Sequence, residues 1–377
     1  MRATICFLQH HKYDWWNRTA GRNTAVLAER VEDMERFKVW KAALLALATS
    51  MAAFHCAGAQ QLVPVTLTTG WVFSGGTTAA LLLADKRGYF NEGGVKINIV
   101  RGFGSADVVA KVAAKTYEAG TGYLPALVRA KAENPDLDAV AVTISYDASP
   151  DAITGPKGKG ITTPKDLAGR RISAQPNSTS MLTFQPFAEA TGIDPGSIKW
   201  VEVAPDLLAT VVHQGSSEAV AQFSSSALST FEKLGYKPDA LFQFLYSDYV
   251  PNLYGNGLIL RRSWAEQNPG AARGLVRGYI RGLIAARKSP QEAIDLLMQR
   301  EPLLDRAAET NDFNHSNEKH YFTANVKKSG VGYHTKEDVT RFVQLLVKPF
   351  GLKRVPSAEE IYTDAYLPSL KDRLVAQ

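Results

Sequence analysis

The sequence predicts an α/β protein of two lobes, each built on a sheet covered by helices. Three observations carry this expectation. At 377 residues the chain is long for one core and fits two α/β lobes. From Val65 onward, short β-rich runs alternate with stretches of helical period, the pattern of strands returning through helices into parallel sheets. After Pro150 the texture changes through the turn Gly155–Gly160, which divides the pattern into blocks.

The elements follow in order. Val65–Thr69 is predicted as a strand, Gly70–Gly76 as a loop and Thr77–Lys86 as a helix closed by Gly88. A second strand is expected at Val95–Val100 and a second helix at Asp107–Lys115. Past the turn, Thr163 can cap a short helix with Pro164 at its first position. Arg171–Ala174, Lys199–Val203 and Glu218–Phe223 read as strands and Thr179–Thr191 as a helix, so that Ile153 to about Val250 forms one block. The strand Leu258–Leu260 then leads into a helical tail. There Leu275, Val276, Tyr279, Ile280, Leu283 and Ile284 share one helical face, as do Val339, Phe342, Val343 and Leu346, and both stripes read as core.

The first sixty residues read as an address. Arg36, Lys38 and Lys41 precede an apolar run, Ala42–Phe54, and Ala57-Gly58-Ala59 supplies small residues for a cut. That is the grammar of a secretory signal peptide over residues 34–59, cleaved after Ala59. The run is short of the roughly 20 apolar residues that a membrane span needs. Residues 1–33 have no role upstream of such a signal and are expected to be an over-long gene start at which Met34 is the true beginning.

Composition excludes several classes. The first 59 residues hold 8 of the 43 basic and 5 of the 37 acidic side chains, which leaves 35 against 32, a net of +3. The basic residues are scattered, so no nucleic-acid partner is expected. The two cysteines, Cys6 and Cys56, fall within the segment expected to be removed, which leaves no thiol nucleophile or thiolate metal site. His213, His315, His320 and His334 make no metalloprotease pattern; His315 and His320, five apart in a polar segment, read as a solvated loop rather than a metal site. No P-loop or full dinucleotide fingerprint is present, and no cofactor is expected.

A family resemblance rests on the order of several segments. The strand at Val65, the run Leu83–Phe90, the turns Gly102–Asp107 and Gly120–Leu127, the segment Ile161–Arg170, Tyr254–Leu258 and Asn268-Pro269 occur in sequence. Together they resemble the substrate-binding proteins of ABC transporters of the nitrate/sulfonate/taurine type, a group that includes binders of thiamine-pyrimidine precursors (SsuA/THI5-like, NMT1-like). The resemblance implies a type II periplasmic-binding-protein fold, with lobe one at residues 62–150 plus 256–377 and lobe two at residues 151–255. Two crossing strands would join them around a ligand cleft. It also implies a monomeric periplasmic receptor that closes on a small molecule and serves a permease and its ATPase. Two rivals stand beside this reading: a thiamine-pyrimidine-synthase-like enzyme on the same fold, and the partner of a ligand-sensing receptor. The enzyme branch carries a cysteine-rich motif that this chain lacks. The chain also departs from the family in having Tyr123 before Leu124, where an Asp is usual, and a Ser-rich run at Ser224–Ser226.

Ligands of open α/β sheets sit beyond the carboxyl ends of the strands, where loops meet helix amino ends. Candidate contacts are therefore Trp71, Phe73 and Ser74 in the first loop; Ser105 and Tyr123 in the next two; Asp147 at the crossing; Asn177, Ser178, Thr179 and Ser224 in the second block; and Asn256 on the return. The aromatic residues favour a planar or heteroaromatic ligand, and helix amino ends favour one with a polar or anionic group. Ser105 and Ser178 read equally well as simple helix caps, Trp71 as core, and Asp147 as a surface carboxylate.

Overall fold

The computed structural model describes residues 61–70, 73–176 and 178–375. The expected signal peptide, the residues before it, Trp71 and Asn177 lie outside them. No helix among the described residues is long and apolar enough to cross a membrane.

Ten strands among these residues form two sheets of five. In chain order they are β1 (Val63–Thr68), β2 (Val95–Val100), β3 (Ala119–Tyr123), β4 (Val140–Ile144), β5 (Asp151–Pro156), β6 (Arg171–Ala174), β7 (Lys199–Glu202), β8 (Ala219–Phe223), β9 (Leu241–Leu245) and β10 (Asn256–Leu260). The helices of eight residues or more are α1 (Thr78–Lys86), α2 (Ser105–Ala113), α3 (Leu124–Glu133), α4 (Phe184–Thr191), α5 (Ser224–Lys233), α6 (Pro269–Lys288), α7 (Pro290–Arg300), α8 (Arg306–Ser316) and α9 (Lys336–Val347).

The first sheet runs β2-β1-β3-β10-β4 and the second β7-β6-β8-β5-β9, so the two share one topology. In each, three strands are parallel and a fourth position is filled by an antiparallel intruder: β10 between β3 and β4, β5 between β8 and β9. The expectation of parallel sheets is corrected at these two strands. Each is the strand by which the chain passes from one sheet into the other, β5 after β4 and β10 after β9, so neither is reached through a strand–helix–strand crossover within its own sheet.

The helix expected over Thr179–Thr191 is also corrected, because it breaks at Thr183 into Thr179–Leu182 and α4. Pro186 explains the break: it has no N–H to return to the Leu182 carbonyl, and its ring crowds that turn. The long stripe on α6 is core as expected, with Leu275, Val276, Tyr279, Ile280 and Leu283 buried. A second stripe runs beside it. A Cβ on Gly274 would lie 1.9 Å from the Gly93 carbonyl oxygen, and one on Gly278 would lie 2.6 Å from Cδ1 of Phe90. These glycines let α6 approach the Phe90 and Gly93 turn at backbone distance, where any side chain would hold it off.

Residues 62–377 hold together as one compact unit. One apolar cluster packs α1, α6 and α7 on the first sheet. Another includes Ile144 and Ile259 of the first sheet together with Ile153 and Ala221 of the second.

Candidate functional site

The carboxyl ends of β1, β3, β6 and β8 bring three groups of polar side chains together. The first centres on Asp151, the opening residue of β5, which is completely buried. Its carboxylate accepts hydroxyl protons from Ser149 and Thr183, each at 3.0 Å, and from Tyr123 and Ser180. Tyr123 ends β3 of the first sheet, while Ser180 and Thr183 follow β6 of the second. Burial pushes the Asp151 carboxyl up, against the pull of these four hydroxyls. The Tyr123 ring also lies 5.3 Å from that of Phe223, the last residue of β8.

The second group surrounds Ser224, the first residue of α5 and completely buried. Its amide donates to the Pro150 carbonyl at 2.8 Å. Its Oγ lies 2.7 Å from Nε2 of His315 and 3.1 Å from Nε2 of His320. A hydroxyl can donate to one ring while it accepts from the other, so both imidazoles are served when neutral. Burial, then His315 and Lys319, pulls His320 down to about 3, and burial lowers His315 as well. The Nδ1 of His320 is buried without a partner. The reading of these histidines as a solvated loop is thus corrected: His315 lies near the end of α8 and His320 in a wide helical turn, Asn317–Tyr321, packed inward. Among the described residues no three His, Cys, Asp or Glu side chains gather as a metal site would require.

The third group lies ahead of α1. The Gly75 amide donates to Oε2 of Glu309 at 2.6 Å and the Gly76 amide to Oδ2 of Asp312 at 2.9 Å. Thr77 Oγ1 and the Tyr321 hydroxyl are 2.7 Å apart, and the Tyr146 hydroxyl donates to Ser316 at 3.3 Å. Helix α8 and the turn after it therefore touch both the loop after β1 and the start of α5.

The remaining candidates distribute around these groups. Ser105 is not a cap, since Gly104 holds that position, and its Oγ instead accepts the Tyr123 amide at 2.9 Å. That places Ser105 against the end of β3. Close approach also explains Gly102, where a Cβ would stand 1.7 Å from the Thr69 carbonyl oxygen. Ser178 is a true cap, accepting from the Met181 amide at 3.3 Å. Thr179 gives its carbonyl to Thr183, and the Ser74 amide meets the Thr78 hydroxyl at 3.4 Å. Phe73 is buried, with the Arg300 guanidinium 5.6 Å above its ring. Asn256 pairs with Tyr123 and offers its carbonyl to the amides of Ser145 and Tyr146.

Asp147 is not a surface carboxylate. His334 lies 2.8 Å from it in a buried pair, and Thr323 and Asn325 also donate to it. Burial works against its charge, but those three partners hold it below the usual carboxylate range. Glu309, Asp312, Asp151 and the two histidines are the polar groups that the sequence did not nominate for the site. A separate groove of about 490 Å³, lined by Gln185, Glu189, Arg341 and Lys348 among others, shares none of these side chains.

Two sheets of one topology, each completed by an antiparallel strand at a crossing, define the type II periplasmic-binding-protein fold. Solved structures bear this out. The periplasmic aliphatic sulphonate binding protein SsuA from Escherichia coli matches with a TM-score of 0.62 at 16% identity, over 82% of this chain and 91% of that one. The ligand-binding component of an ABC-type import system from Staphylococcus aureus, with zinc bound, matches at 0.61 and 15% identity, over 83% and 100%. The NMT1/THI5-like family matches residues 77–293, more than half of the chain, and the chain belongs to that family. A curated relative is the 4-amino-5-hydroxymethyl-2-methylpyrimidine phosphate synthase of Legionella pneumophila, 22% identical over 244 residues, 64% of this chain and 74% of that protein.

Proposed function

We propose that the chain is an extracytoplasmic solute-binding protein, which captures a small organic molecule and delivers it to the permease and ATPase of an ABC importer. The observation that carries this reading is the contact between elements of both sheets, the end of β3 with the start of β5 through Tyr123 and Asp151, and the start of α5 with α8 and the turn after it through Ser224, His315 and His320. Groups drawn from two sheets can open and close around a solute by rotation at the crossings, here Ser145–Pro150 and the chain leading into β10. Residues 62–150 with 256–377 form one lobe of this receptor and residues 151–255 the other. Residues 34–59 direct export to the periplasm, where the receptor works as a monomer. The experiment is native mass spectrometry of the purified protein to identify a retained solute, followed by small-angle scattering with and without it. Compaction with an unchanged solute supports the receptor; unchanged dimensions at saturation count against closure.

One finding favours a second reading. The curated relative is a synthase, so the retained solute must also be followed over time. Its chemical conversion by the protein would replace the receptor with an enzyme on the same fold. Loss of solute uptake in a deletion strain separates a transporter role from service to a sensor.

A further inference from the structure

We propose that α8 and the turn after it, Asn317–Tyr321, form a strap that rides with the first lobe and latches onto α5 of the second, and that its release from α5 opens the cleft to solute. This rests on the solute-binding reading. The two sides of the strap are held by different physics. Toward the first lobe the hold is apolar and close. Phe313 and Tyr321 are buried in the cluster that contains Phe73 and Tyr146. A Cβ on Gly75 would lie 2.0 Å from the Glu309 carbonyl oxygen, so α8 rests directly on the loop after β1. Toward the second lobe the hold is polar. Ser224 Oγ meets His315 and His320, and Asn311 Nδ2 donates to Oε2 of Glu232 at 3.3 Å. Among the described residues, the apolar cluster beneath α5, which includes Val220, Ala227 and Phe231, takes in no residue of α8.

This asymmetry decides which side lets go. Apolar surface pulled from its neighbours meets water at full cost, whereas hydrogen bonds to α5 are exchanged for hydrogen bonds to water with little net loss. The latched side also carries a polar atom left over, since Nδ1 of His320 is buried without a partner among the described residues. Release admits water to that ring, which favours parting at α5. Other contacts between the lobes do not compete for this role. Tyr123 meets Asp151 beside the crossing at Ser145–Pro150, where a rotation moves atoms least. Lys348 pairs with Glu189 at an exposed position, where an ion pair holds little.

The test ties the strap to α5 in the full chain. Cys6 and Cys56 are replaced by Ser, and Glu232→Cys with Asn311→Cys places one thiol on each side of the contact, to be joined by a short bis-maleimide. Hydrogen exchange and small-angle scattering then compare the joined protein with the same background lacking the new pair, no solute being added. Amides of residues 306–321 should exchange at least tenfold more slowly in the joined protein, those of α6 should exchange alike in both, and the joined protein should have the smaller radius of gyration. Equal exchange with equal dimensions overturns the strap, and so does failure of the two thiols to join. A second variant needs no crosslink: Ser224→Ala with Asn311→Ala should speed exchange over residues 306–321 at least tenfold while α6, as the check on folding, stays unchanged. Exchange that rises throughout the chain, or not at all in residues 306–321, counts against the latch. Because no readout uses a solute, failure here leaves the receptor reading standing, whereas conversion of a retained solute would sink that reading alone.

Discussion

The Ser224 hydroxyl, at the start of α5, lies 2.7 Å from Nε2 of His315, near the end of α8. Helix α5 follows a strand of the second sheet, and α8 follows the return to the first, so this contact ties the two halves. With His320 at 3.1 Å on the same oxygen, two rings that resist protonation share one small hydroxyl.

That pairing predicts acid sensitivity. Burial holds His320 at about 3, far below the 6.5 of a free imidazole. Below pH 6.5 the unfolded chain binds a proton that the folded chain refuses, so stability present above 6.5 is lost as the pH falls toward 3. The slope is about 1.4 kcal/mol per pH unit for one such group, which amounts to about 3 kcal/mol at pH 4. Thermal unfolding of the native chain and of His320→Gln across pH 7 to 4 checks this. The variant should show the shallower slope, and equal slopes would refute the buried-imidazole account.

Asp151 is the common acceptor of four hydroxyls drawn from β3, the crossing and the segment after β6. Replacing it by Ala strands those donors in the interior, and a cost of about 2–4 kcal/mol is expected. Asp151→Asn retains one acceptor oxygen and removes a charge that burial disfavours, so it should cost less than half as much. Urea denaturation of both variants makes the comparison; equal losses would mean that the charge itself, rather than the acceptor geometry, holds the network.

The glycine stripe on α6 gives a packing prediction. Gly278→Val places new carbon where Cδ1 of Phe90 stands, 2.6 Å from the ideal Cβ position, whereas a Cβ on Gly270 meets nothing within 4 Å. Overpacking of the first kind costs roughly 1–3 kcal/mol. Gly270→Ala, near the exposed start of the helix, should be neutral or slightly stabilising. Denaturation midpoints for the two variants should separate accordingly.

Trp71 lies outside the described residues, and its prediction comes from sequence. An indole stacked on a planar solute contributes on the order of 1 kcal/mol beyond burial, so Trp71→Ala should weaken binding at least tenfold, about 1.4 kcal/mol. An indole buried in the core would instead cost about 3–5 kcal/mol of stability. Affinity for the retained solute and melting temperature, measured side by side, distinguish the two roles.

The α/β character was legible because several of its strands and its long helices obey simple periods. β2 was read to the residue, as was β6, and the α6 stripe was read as core. Two inner strands, β3 and β5, were not legible. β3 is Ala-Gly-Thr-Gly-Tyr and β5 contains Gly155 and Pro156, sequences of weak β preference that succeed here because every residue is buried between neighbouring strands. Burial on both faces also erases the alternation by which strands are recognised. The sequence set Ser105, Ser178 and Ser224 in segments that follow strands, which is where the structure has them. It could not show that α8 returns from more than two hundred residues away to meet Gly75 and Gly76, because nothing local in Glu309 or Asp312 marks that destination. His315 and His320 were misplaced for a related reason: their polar neighbours Asn314, Asn317, Glu318 and Lys319 suggested solvent, whereas a wide turn rotates His320 inward.

The interleaving of β10 between β3 and β4 has a consequence for a chain emerging from the ribosome. The second sheet is assembled entirely from residues 151–245, but in the first sheet β4 touches its companions only through β10. Until Leu260 has been synthesised, β4 has no partner strand and β3 is an open edge. At about 5–20 residues per second the wait from Ile144 to Leu260 lasts roughly 6–23 s. The half of the molecule that is begun first is therefore finished last, and a nascent chain interrupted within that interval carries a complete second sheet beside a first sheet that cannot yet close.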